Sequence, residues 1–242
     1  FPFPVRFLPD GRFLYTADGK LKLRALDGGS AVDVPFSATL TVRRPVFTKV
    51  KDRHFDQLGA RPVHGISAPA LSPDGRQVAF VALNDVWTMA IGGKPVRLTD
   101  DVDRDGNVQW TPDGKAVYFS SEKGNAGQLA VDQVDVESKQ RKRLAAIPAR
   151  SMVQPKMSPT GDRIAYTTLS GQIEVWDIAG QGAQLVAPQV STQLSTPQWT
   201  PDASKIVIVD NERMNNRFRE GYNKLRVIDI GAKTSTFHPL AE

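Results

Sequence analysis

Cysteine is absent from this 242-residue chain, and histidine occurs only at His54, His64 and His238. The first absence removes disulfide frameworks and thiolate metal sites; it is compatible with an oxidising compartment without demonstrating one. The second leaves too few imidazoles for the multi-histidine metal centre of a hydrolase. There is no G-x-S-x-G nucleophile elbow and no glycine-rich phosphate loop. No apolar run approaches the roughly 18 residues that span a bilayer, so no membrane insertion is expected. Charge of one sign is also scarce: the formal balance is +5, and basic residues cluster only at Arg43-Arg44 and Arg141-Lys142-Arg143. A nucleic-acid binder gathers Lys and Arg on one face with aromatics between them, so no nucleic-acid partner is expected. The 141–143 triplet reads instead as the solvated edge of an outer strand, where charge discourages stray pairing.

What is present is punctuation. Seventeen prolines and nineteen glycines, with 40% hydrophobic residues, describe a turn-dense all-β chain able to bury one core. The pattern is clearest in Leu71 to Gly93, LSPDGRQVAFVALNDVWTMAIGG. Ser72-Pro73-Asp74-Gly75 has the chemistry of a tight turn: Pro presets φ, Asp bonds its own backbone two residues on, and Gly accepts φ > 0. Short β-prone runs follow at Gln77–Val81 and Asp85–Met89, and Val96–Leu98 supplies an outer strand.

The block repeats. Its turn prolines stand at Pro9, Pro73, Pro112, Pro159 and Pro201, in steps of 64, 39, 47 and 42 residues. Three of those steps lie near the roughly 40 to 45 residues of a propeller blade. A bulky apolar residue precedes each turn (Phe7, Leu71, Trp110, Met157, Trp199), and an apolar triplet follows, beginning at Phe13, Val78, Val117, Ile164 and Ile206. Trp87 and Trp176 are placed at matching points of the third strands in blades two and four. All four tryptophans are read as packing between blades rather than as ligand platforms. In blade four Thr160 replaces the turn Asp, and in blade five Ala203 replaces the Gly, a departure expected to relax that turn.

SPDGRQVAF, TPDGKAVYF and SPTGDRIAY resemble the repeats of TolB-like (WD40-like) β-propellers, whose blades carry a similar turn and strand. The resemblance implies an all-β, single-domain propeller over 1–242 with five recognisable four-stranded blades, at about 5–38, 68–99, 108–148, 152–188 and 196–240. TolB-like propellers usually have six blades. A sixth upstream of Phe1, strands contributed by an insert at 40–64, or a partial ring are the alternatives, and any gap is expected to be covered by the insert or a neighbouring chain. The opening FPFPVRFLPDG already falls inside a blade, so a leader and an earlier strand are expected to have been removed. RPVHGISAPALSPDGRQVAFVALNDVWTMAIGGKPVRLTDD also resembles the propeller ahead of a metal-dependent amidohydrolase domain in bacterial fusion proteins.

Three stretches invite functional readings. The 40–64 insert holds His54 and His64; it reads as a connecting arm anchored by Phe47 and Phe55, with a binding loop as the alternative. Asp101, Asp103, Asp105 and Gly106 follow the D-x-D-x-D-G order of a calcium loop, but Pro112 stands where the closing Glu belongs. An acidic connecting loop at the channel rim is preferred there, with calcium as the alternative; no other cofactor is expected. Asp210 to Gly221 reads as a long polar loop. No catalytic residues are identified. The resemblance therefore implies a non-catalytic, periplasmic or secreted module that binds a protein, peptide or cell-envelope component. The alternative is an accessory or gating propeller of a larger hydrolase, amidohydrolase or prolyl-oligopeptidase-like, whose catalytic residues lie in another domain.

Overall fold

The computed structural model describes residues 4–43, 59–60, 63–188, 195–213 and 221–239. Within them the chain forms five four-stranded antiparallel sheets, arranged as a five-bladed β-propeller. Blade one is β1 (Arg6–Phe7), β2 (Arg12–Ala17), β3 (Lys20–Ala25) and β4 (Val32–Val34). Blade two is β5 (Ile66–Leu71), β6 (Gln77–Ala82), β7 (Asp85–Ala90) and β8 (Pro95–Arg97). Blade three is β9 (Asp105–Trp110), β10 (Ala116–Ser121), β11 (Ala130–Asp135) and β12 (Arg141–Ala145). Blade four is β13 (Val153–Met157), β14 (Arg163–Thr167), β15 (Ile173–Asp177) and β16 (Gly182–Ala187). Blade five is β17 (Gln198–Trp199), β18 (Lys205–Arg213), β19 (Gly221–Asp229) and β20 (Thr234–Phe237).

The turn between the first and second strands sets the register of every blade. Ser72 Oγ donates to Asp74 Oδ1 at 2.6 Å and accepts the Gln77 amide at 2.9 Å, while Asp74 accepts the Arg76 amide at 3.1 Å. Thr111 with Asp113 and Thr200 with Asp202 repeat this arrangement. The hydroxyl donors hold the Asp74, Asp113 and Asp202 carboxyls below the usual carboxylate range, that of Asp202 at about 2. In blade four the acid has moved two places on: Asp162 accepts from both Ser158 and Thr160. With the turns alike, the residue before each one faces the same partner in every sheet: Phe7 pairs with Phe13, Leu71 with Val78, Trp110 with Val117, Met157 with Ile164 and Trp199 with Ile206.

Three expectations need correction. The blade-five turn is not relaxed, because Ala203 itself takes φ +56° and its amide still reaches the Thr200 carbonyl at 2.9 Å. Trp87 and Trp176 are not equivalent: Trp87 pairs with Phe80, whereas Trp176 pairs with Ile164, the counterpart of Val78. The hairpin joining β14 to β15 is longer than the two-residue Leu83-Asn84 link in blade two, and this displaces the third strand. Asp210 to Arg213 is strand rather than loop, since β18 and β19 pair continuously from Lys205↔Asp229 to Arg213↔Gly221. Cross-strand ion pairs, Glu212 with Lys224 and Asp210 with Arg226, favour polar residues paired as strand. Residues 214–220 of that stretch lie outside the described residues.

Packing between blades follows the ring. Apolar clusters join blades two and three around Val108 and Phe119, three and four around Tyr118 and Tyr166, and four and five around Ile173 and Ile206. A fourth joins Val5 and Phe13 of blade one to Val207 and Leu225 of blade five. First and last blades are therefore in contact, reinforced by His238, whose amide reaches Leu225 O at 2.7 Å and whose ring lies 3.1 Å from Leu26 O. Among the described residues no such cluster spans blades one and two. Most of the insert expected to cover a gap, with His54, Phe47 and Phe55, lies outside the described residues; His64 is exposed.

Candidate functional site

The first strands of all five blades converge, and at the end carrying the Ser/Thr-Pro turns they enclose a cavity of 630 Å³. That lies within the roughly 300 to 1,000 Å³ typical of ligand sites. Each blade contributes the same positions: Arg6 and Phe7 from blade one, Ala70 and Leu71 from two, Gln109 and Trp110 from three, Lys156 and Met157 from four, Gln198 and Trp199 from five. Alternation along the strands explains the lining. Trp110 and Trp199 turn their ring bodies into the interblade clusters, whereas Gln109 and Gln198 one residue earlier, and Lys156 at the equivalent place before Met157, line the cavity.

The charges at this site are of one sign. Arg6 and Lys156 line the cavity, and among the described residues no Asp or Glu does. Lys156 Nζ donates to Gln109 Oε1 at 3.1 Å. Burial, followed by the nearby charge of Arg6, pushes the Lys156 ammonium down to about 8. Tyr118, fully buried beneath the cavity, accepts the Met157 amide at 3.0 Å, and burial holds its phenol well above the ordinary range. Lysine and tyrosine are nucleophilic types, and among the described lining residues no His, Asp or Glu stands beside them as a base.

The candidate calcium residues sit at the opposite end of blade three. Asp101 Oδ2 accepts from Lys123 at 2.7 Å and Arg141 at 3.0 Å, and Asp101 Oδ1 accepts the Asp103 amide at 3.1 Å. Asp105 is buried; desolvation raises its pKa, while Ser121, Thr99 and Arg141 oppose the rise. Arg141 thus brings Asp101 and Asp105 together with Asp132, and Asp103 stays outside. Among the described residues no group of three His, Cys, Asp or Glu side chains gathers as a metal site. This also corrects the reading of the 141–143 triplet: β12 is an outer strand, but Arg141 is turned inward into this network and stacks 5.1 Å from the Phe119 ring centre.

Sequence reasoning missed the axial cations. Lys156 and Gln109 stand immediately before the bulky residue that precedes the turn, at positions the repeat marks as equivalent. Nothing in one linear sequence says that this position faces the axis.

A family model of the TolB beta propeller domain matches residues 48–234. The chain belongs to the TolB β-propeller domain family. An uncharacterized protein of Agrobacterium fabrum is 24% identical in an alignment of 156 residues that covers 57% of this chain and 52% of that protein. The chain thus spans about half the length of the curated relative it matches. Among solved structures, a protein assigned as TolB from Agrobacterium tumefaciens superposes with a TM-score of 0.57 at 17% identity, over 96% of this chain and 78% of that one. Puromycin hydrolase gives 0.60 at 15% identity, over 100% of this TolB-type propeller but 46% of the hydrolase. Tricorn protease gives 0.56 at 12% identity, over 93% of this chain and 20% of the protease. At these identities the likeness concerns the fold. Among the described residues no helix is long and apolar enough to cross a membrane.

Proposed function

We propose that this TolB-type propeller is a non-catalytic interaction module, periplasmic or secreted, that binds a protein or peptide segment of the cell envelope in its axial cavity. The observation that carries this reading is the cavity itself: equivalent residues of all five blades line it, so a rigid scaffold presents amide, hydroxyl and cationic groups around one axis. Rigid presentation lowers the ordering cost of binding an extended segment. The test is to pan a random peptide library on the immobilised chain and map the selected peptides by amide chemical shifts. Perturbations at Gln109, Lys156 and Gln198, and affinity at least about tenfold weaker in Gln109→Ala, support the reading. Peptides that perturb only the outer strands, or a library that yields none, reject it.

A second reading is supported by the share of the larger enzymes that this chain matches: it serves as the accessory propeller of a hydrolase, amidohydrolase or prolyl-oligopeptidase-like. Sequencing the gene downstream of Glu242 tests it. A continuing reading frame with H-x-H or G-x-S-x-G favours the accessory role, and a stop codon there removes it.

A further inference from the structure

We propose that the axial cavity is a carboxylate-binding site in which Arg6 and Lys156 grip the acid group of a peptide, either its C-terminus or an Asp or Glu side chain. The proposal rests on the peptide-binding reading above and specifies which peptides are taken.

The chain's handling of buried charge elsewhere makes the case. Its buried carboxylates are met by arginines: Arg141 meets Asp132 at 2.7 Å, Arg97 meets Asp85, and Arg150 meets Glu174 at 2.5 Å, whereas the buried Arg24 donates to the Gly28 and Gly29 carbonyls. Such partners are expected because a charge left without any in a poorly solvated place is costly. At the axis the half-buried Lys156 lacks such a partner, and the exposed Arg6 adds a second positive charge to the same cavity. Among the described residues neither Arg6 nor Lys156 has a carboxylate within ion-pair distance, although the two are close enough to repel, as the lowered proton affinity of Lys156 shows.

Two like charges on first strands of one cavity, with no acid among its described lining residues, favour an anionic partner from outside. An ammonium has three donors, and Gln109 takes one from Lys156. The other two, with the planar fork of Arg6, match the two oxygens of a carboxylate. Phe7, Leu71 and Met157 form an apolar wall beside them, suited to the side chain next to the acid. Entry is open, since Leu71 is 59% exposed.

The direct experiment uses acetate as the probe and acetamide as the neutral control, followed by amide and Lys Nζ chemical shifts on the whole chain at pH 6.5. Acetate is expected to shift Gln109, Lys156 and Met157 saturably, with acetamide without effect. Arg6→Gln and Lys156→Gln are each expected to weaken acetate by about tenfold, the loss of one charge-assisted hydrogen bond. Equal shifts with acetamide, or acetate shifts scattered over surface lysines, overturn the proposal. A second arm compares panned peptides with their C-terminally amidated and Asp→Asn or Glu→Gln forms. Loss of binding in the amidated form assigns the terminus, and loss in the side-chain form assigns the acidic residue. Peptides that hold the cavity equally well in every form overturn the proposal even where peptide binding stands. Specific acetate binding with no peptide retained leaves the carboxylate site standing and rejects the peptide reading.

Discussion

Trp199 donates its indole N–H to the backbone carbonyl of Lys156 at 2.8 Å, across the boundary between blades four and five. Trp110 does the same to Ala70 at 3.0 Å between blades two and three. Between blades three and four the direction reverses, and the Met157 amide donates to Tyr118 Oη at 3.0 Å. In each case a side chain from one blade satisfies a first-strand backbone group of its neighbour, which is how adjacent first strands are held at a fixed spacing around the axis. Arg163 adds a second tie, lying 4.9 Å from the Trp199 ring centre and donating to Ala203 O at 3.0 Å.

Trp199→Phe keeps most of the apolar body but leaves the Lys156 carbonyl without its donor. The expected cost is about 1 to 3 kcal/mol, and the melting temperature should fall by roughly 2 to 4 °C per kcal/mol. Thermal unfolding followed by circular dichroism checks it. An unchanged melting temperature would show that the indole contributes by packing alone.

The turns offer a paired comparison. Gly75 has φ +72° and open space where a Cβ would stand, so Gly75→Ala meets backbone strain and no clash, a loss of about 1 kcal/mol. Ala203 already carries that strain at φ +56°, yet it is 3% exposed within the cluster between blades four and five. Ala203→Gly relieves the strain and gives up a buried methyl worth about 0.8 kcal/mol, so the net change should lie within about 0.5 kcal/mol of zero. Urea midpoints measure both, and a large loss at Ala203 would mean the methyl matters more than the turn.

Arg141 is the keystone of the acidic end. Arg141→Met leaves Asp101, Asp105 and Asp132 without their shared cation, and the expected loss at neutral pH is about 3 to 5 kcal/mol. The Asp105 carboxyl, already raised by burial, rises further in the variant. A carboxyl raised on folding opposes stability when ionised, so the variant should recover part of its loss as pH falls toward 5. Chelation by EDTA should leave the wild-type melting temperature unchanged, because Lys123 and Arg141 already occupy Asp101. A fall on chelation would instead restore calcium to this loop.

Turn chemistry is local, and the fold was legible for that reason. Pro73 and Asp74 announce their geometry from side-chain properties alone, and five such turns set five registers. Trp87 and Trp176 show where this ends: a longer hairpin shifted the third strand, and apolar character by itself carries no register. Asp210 to Arg213 read as loop because polar residues lack alternation, yet cross-strand ion pairs hold them as strand. The candidate site was illegible for a different reason. Arg6, Gln109 and Lys156 meet only through the closing of blades far apart in sequence, and no spacing rule connects them.

Lys156 provides the pH test. Its ammonium is lowered from 10.5 to about 8 on folding, by burial first and Arg6 second, with the Tyr118 phenol the other titratable group facing it. Between pH 8 and 10.5 the unfolded chain therefore binds the proton more tightly than the folded one, and stability rises with pH across that window. Below pH 8 both states are protonated and the full penalty remains. Lys156→Met should thus be more stable than wild type at pH 7 by on the order of 2 kcal/mol, with the gap closing toward pH 10.5. Saturating acetate at pH 7 should narrow the same gap by stabilising wild type alone. Urea unfolding of both proteins at pH 7 and pH 10 measures it; a constant difference across the two would mean that Lys156 does not lose its proton near pH 8 in the folded chain.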